Sequence, residues 1–110
     1  MGDNNPNHEQ IDLSLLKVNG SRGRDEDKEY VKKLANAILQ TFANHGIVKL
    51  RCVGAAAINN ADKAIIIAAT EASKNGIELV EKKSFTEVVF SDAQLGTVKR
   101  TGIVKEIVKR

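Results

Sequence analysis

The sequence holds one cysteine, one proline and four aromatic residues among its 110, and each shortage removes a class of protein. Cys52 alone excludes an intramolecular disulfide, and with only His8 and His45 as nitrogen donors it makes no zinc-ligand set. Its place in an apolar strand pattern points to a buried structural thiol. Tyr30, Phe42, Phe85 and Phe90 are too few to provide several stacking platforms on one sheet face, so the core must come from Ala, Val, Leu and Ile. No apolar run approaches the roughly 20 residues of a membrane span, and none follows a basic start near Met1. A cytoplasmic location without membrane contact is expected.

Catalytic equipment is missing too. An enzyme needs a nucleophile, base or electrophile supported by partners in a constrained arrangement, and no such set stands out. His45 sits beside Gly46 at a helix stop, where imidazole meets the negative end of the helix dipole. The loop Gly20-Ser21-Arg22-Gly23-Arg24 has neither GxxxxGK[ST] nor GxGxxG spacing, and Asp25, Glu26 and Asp27 occupy the helix start where a phosphate would sit. The expectation is no enzyme, no cofactor, no metal and no small-molecule substrate.

What remains reads as one domain, since 110 residues with 42% hydrophobic and 28% charged content can bury a single core but not two. Residues 1–12 are polar, hold the proline and lack periodicity, so they read as a disordered leader to a domain over 13–110. Leu13, Leu15, Leu16 and Val18 suit a first strand. Val31, Leu34, Ala35, Ile38 and Phe42 recur at three- and four-residue spacing and predict a helix from about Asp25 to Asn44. Val48, Leu50 and Cys52 alternate with Ile47, Lys49, Arg51 and Val53, the signature of a half-buried strand. An alanine-rich helix follows from Ala55 to Lys74. β-Branched and aromatic residues over 77–90 and again over 97–108, parted by Ser91 to Gly96, predict a long hairpin. The fold class is therefore α/β in the sense of a two-layer α+β sandwich, β-α-β-α-β-β, with two helices on one face of a four-stranded mixed sheet.

Charge is unevenly spread. Residues 1–16 contribute −3, leaving +6 for the rest of a chain whose net charge is +3. Three places could meet a polyanion, and each has a plainer reading. Arg22 and Arg24 either touch a nucleic-acid backbone or are solvated in a turn. Asn59, Asn60 and Lys63 extend an anion-friendly helix start after Gly54, where small residues serve equally well for close packing or a dimer contact. Lys99, Arg100, Lys105, Lys109 and Arg110, opposed only by Glu106, give residues 97–110 a charge of +4. They either follow phosphates or protect an edge strand from aggregation.

The run from Arg51 to Ala68, RCVGAAAINNADKAIIIA, resembles the central motif of the bacterial stage V sporulation protein S family. The likeness continues at Leu16-Lys17-Val18, Gly76 to Val80, Ser84-Phe85-Thr86 and Arg100 to Val108, so it covers roughly residues 15–110. That family is similar in architecture to Alba chromatin proteins and to the C-terminal domain of translation initiation factor three. Resemblance to Alba implies a homodimer or higher homo-oligomer that binds DNA or RNA through the first loop, the start of the second helix and the terminal hairpin. By position, the implied contacts are Arg22, Arg24, Asn59, Asn60, Lys63, Lys99 and Arg100. The rival expectation is a protein-interaction or self-assembly module that never touches nucleic acid.

Overall fold

The computed structural model describes residues 11–21 and 23–110, so most of the polar leader and Arg22 lie outside the described residues. Four strands and two helices follow in the order β1 (Leu15–Val18), α1 (Arg24–His45), β2 (Ile47–Cys52), α2 (Ala55–Lys74), β3 (Leu79–Asp92) and β4 (Gly96–Lys109). The sheet order is β1-β2-β4-β3. β1 runs parallel to β2, while β4 lies antiparallel to both β2 and β3. The two-layer, mixed-sheet architecture is the expected one.

Local chemistry explains the boundaries. No side chain caps α1, but Asp25, Glu26 and Asp27 fill its first turn and complement the positive end of the dipole. It ends at Gly46, whose left-handed φ of 74° turns its N–H onto the Phe42 carbonyl. Asp12, placed by composition in the leader, already belongs to the fold. Its carboxylate accepts from the Ser14 N–H and hydroxyl and pairs with Lys49 at 3.2 Å.

The core forms where the periodic stripes meet. Val31, Leu34, Ala35 and Ile38 of α1 pack with Val48, Leu50 and Cys52 of β2, Ile107 of β4, and Ala57, Ala61, Ala64 and Ala68 of α2. An alanine face lets α2 approach the sheet and α1 closely, at the cost of little side-chain entropy. Burial pushes the Cys52 thiol up to about 11, so it is a packing group with little thiolate character.

The hairpin departs from expectation in length. β3 and β4 pair over 14 residues each, and only Ala93, Gln94 and Leu95 are left for the turn. The wider break suggested by Ser91 to Gly96 closes because the Asp92 carboxylate accepts from the N–H groups of Gln94 and Leu95, while Gly96 takes the left-handed conformation. Those two bonds also hold the Asp92 carboxyl below its ordinary value. β2 pairs with β4 only from Ile103 onward, so the segments 86–92 and 96–102 form an arm beyond the body of the sheet.

Lys105 corrects the charge reading of this hairpin. It stands opposite buried Leu50, on the helix-facing side, and its side chain is 1% exposed. The ammonium lies 2.6 Å from Asp62 of α2 and 3.1 Å from Glu81 of β3. Burial pushes its pKa down, but the two carboxylates more than offset that, and the net result lies above the ordinary lysine value. Arg110 pairs with Glu78 at 2.7 Å. The +4 of the C-terminal segment is thus partly neutralised, by a buried cluster at Lys105 and a surface pair at Arg110.

Candidate nucleic-acid interface

The C-terminal ends of β1 and β2 deliver the chain into the starts of α1 and α2, so both helix N-termini and the hairpin arm gather at one end of the molecule. On the helix side a groove of about 690 Å³ runs between the two helices. Arg24, Lys28 and Lys32 line it at four-residue intervals along α1, and Asn59 and Lys63 line it from α2. None of these four cations is engaged in an ion pair among the described residues. Asp27 also lines the groove, where it accepts from the Ser21 hydroxyl at 2.7 Å.

Helical periodicity settles the problem of the acidic start. Asp25, Glu26 and Glu29 lie on a different side of α1, around a separate depression with Tyr30 and Lys33. The first turn therefore adds little negative charge to the groove beyond Asp27, and the Arg24-Lys28-Lys32 stripe dominates it.

The residues singled out from the sequence divide into groups. Arg24, Asn59 and Lys63 come together in this groove. Asn60 borders it but is 3% exposed, and its side-chain amide donates to the Asn19 carbonyl at 3.2 Å. That bond ties α2 to the end of β1, a structural task. Lys99 and Arg100 are neighbours on a strand, so they project from opposite faces of the arm. Lys99 stands opposite Val89 on the side that continues into Lys105 and the helices, 3.9 Å from Glu87. Arg100 stands opposite Val88 and turns toward the sheet face that no helix covers. Lys28 and Lys32 escape a reading of the sequence because they lie off the apolar stripe; their spacing from Arg24 is the signal that marks a basic edge.

Among the described residues, no cluster of three or more His, Cys, Asp or Glu side chains is placed to hold a metal ion. No helix is long and apolar enough to cross a membrane.

The stage V sporulation protein S (SpoVS) family model matches residues 26–110. The chain belongs to the SpoVS family. The match takes in most of α1 and every later element, and with them Lys28, Lys32, Asn59 and Lys63, while Arg24 and β1 lie ahead of it. Membership makes this SpoVS protein sporulation-related, in a family not known for enzymes. No curated protein matches the chain.

Proposed function

We propose that this SpoVS-family protein binds DNA or RNA by backbone electrostatics, with the groove between the helix starts as its principal contact. The observation that supports this reading is the stripe of Arg24, Lys28 and Lys32 facing Lys63, without an ion pair among the described residues and with the acidic residues of α1 largely turned away. Four cations along one groove suit a row of phosphates, and Asn59 adds a neutral donor. Lys99 stands on the helix side of the arm but outside the groove's lining, 3.9 Å from Glu87. No helix is presented as a base reader, so affinity should depend little on sequence and fall steeply with salt.

Fluorescence anisotropy with duplex DNA and duplex RNA at several salt concentrations tests the proposal. For B-DNA, replacing Lys28 and Lys63 by Gln should lower the slope of log K against log salt by about 0.9 for each phosphate no longer neutralised. Absence of binding at low salt, or binding indifferent to salt, refutes it.

Self-assembly rests on a separate observation. Ile66 is 66% exposed on α2, an apolar side chain of the kind a second copy would cover. A homodimer formed there would set two basic grooves on one particle. Light scattering of the wild type against Ile66→Glu reads it directly.

A further inference from the structure

The sheet face opposite the helices holds a second basic site, separate from the helix-side groove. Lys17 of β1 and Arg51 of β2 are register partners and so share a face, the one left bare by both helices. Arg100 of β4 reaches the same cavity, although Arg51 pairs with Val104, which is four residues, or roughly 13 Å of straight strand, further on. The arm must therefore curl back over the sheet.

Gly102 is where that curl is permitted. A Cβ there would stand 2.8 Å from the Cys52 carbonyl oxygen and 3.2 Å from a Val53 methyl, so only a glycine lets β4 come this close to the end of β2. Val88 reports the result: it faces the side without helices, on the arm, yet is 5% exposed. Arm and sheet enclose a cleft of about 550 Å³, the size of an ordinary ligand site.

The lining has two kinds of chemistry. Lys17, Arg51 and Arg100 converge from three strands with no ion pair among the described residues. Val53, Val88 and Val98 form apolar walls, and Phe90 stands among them 43% exposed. Asp92 is the acidic group in the lining, and its Oδ1 is occupied by the turn N–H groups of Gln94 and Leu95. An aromatic ring beside three converging cations matches a nucleotide, with the base against the ring and the phosphates on the cations.

We infer that this cleft takes an unpaired nucleotide of a single-stranded nucleic acid, with the base on Phe90 and the flanking phosphates on Lys17, Arg51 and Arg100. The inference rests on the nucleic-acid reading above and deepens it by assigning single strands to a different face from duplexes. A duplex cannot enter without flipping a base out, at the cost of unstacking and unpairing it, whereas a single strand arrives unpaired. The cleft lies beyond the β1–α1 loop from the helix-side groove, with Asn19 and Gly20 lining one and Ser21 the other.

The test compares labelled oligothymidylate of about ten nucleotides, thymidine monophosphate and a DNA duplex on the wild type, Phe90→Ala and Arg51→Gln. Phe90→Ala should weaken oligothymidylate about tenfold, within the range expected when one stacked base is removed. Arg51→Gln should reduce the single-strand salt slope by about 0.7. Duplex affinity should change less than twofold in both, and that unchanged affinity also shows that the variants are folded. If both variants bind oligothymidylate as the wild type does while the duplex still binds, the inference falls and the helix-side reading stands. If the wild type binds neither nucleic acid at low salt, both fall. Monophosphate bound as tightly as the oligonucleotide would make the ligand a free nucleotide and overturn the single-strand assignment. Equal competition by polyglutamate would overturn it in favour of an acidic protein.

Discussion

Replacing Lys105 by Met keeps most of the side-chain volume and removes the charge that joins three elements. Lys105 of β4 is 1% exposed and ties Asp62 of α2 and Glu81 of β3 to one ammonium at 2.6 and 3.1 Å. Removing one partner of a buried ion pair typically costs 3–5 kcal/mol, chiefly because the other charge is left without compensation. Here the orphaned carboxylates are not sealed in, since their side chains are 48% and 23% exposed and water can reach them. The expected loss is therefore at the low end, about 3 kcal/mol, which for a domain of this size lowers Tm by roughly 15 °C. Adding Asp62→Asn and Glu81→Gln to Lys105→Met should restore part of it, because the stranded charges are gone. The pH dependence has a definite sign. The folded-state pKa of Lys105 is raised, so its contribution is fully present below its ordinary value near 10.5 and is lost as pH climbs through the raised value. Urea denaturation of wild type and Lys105→Met should show a constant gap from pH 6 to 9 that narrows only above about pH 10.5. A Lys105→Met protein within about 0.5 kcal/mol of wild type at pH 7 would refute the view that this lysine fastens α2 to the sheet.

Three further outcomes are expected. Gly102→Ala forces a Cβ against the Cys52 carbonyl and should cost about 1–3 kcal/mol in a urea melt, with an unchanged melt showing that the arm is not held at this point. Asp12 is held at about 2 by the Ser14 hydroxyl and N–H and by Lys49, so its stabilisation is full above the ordinary carboxylate range and disappears as pH falls toward 2. Asp12→Asn should accordingly flatten the acid limb of the stability profile. Cys52, pushed to about 11 by burial, should resist an aromatic disulfide reagent at pH 8 in the native protein and react at once in urea.

Much of this architecture was legible because its core faces are strictly periodic. Val48, Leu50 and Cys52 alternate in the sequence and are all fully buried, and the Val31-Leu34-Ala35-Ile38 stripe becomes the inner face of α1. α2 begins and ends at the residues expected, between Gly54 and Asn75, where the local signals are strong. Contacts distant in sequence were not legible. A lysine alternating with apolar residues reads as solvated until Asp62 and Glu81 are seen to meet it, and Asn60 reads as exposed until the Asn19 carbonyl takes its amide. The site was half visible. Arg24, Asn59 and Lys63 were found from the helix starts, but the second cleft depends on a strand curling at Gly102, and only the folded geometry brings Arg100 to Lys17 and Arg51.

A backbone amide NMR titration with duplex DNA at low salt tests the central claim most directly. The account predicts that the largest shifts fall at Ser21, Arg24, Lys28 and Lys32 and at Asn59, Lys63 and Ile67, along the helix-side groove, and collapse as salt is raised. Shifts confined to other surfaces, or none at all with duplex in excess, would contradict it.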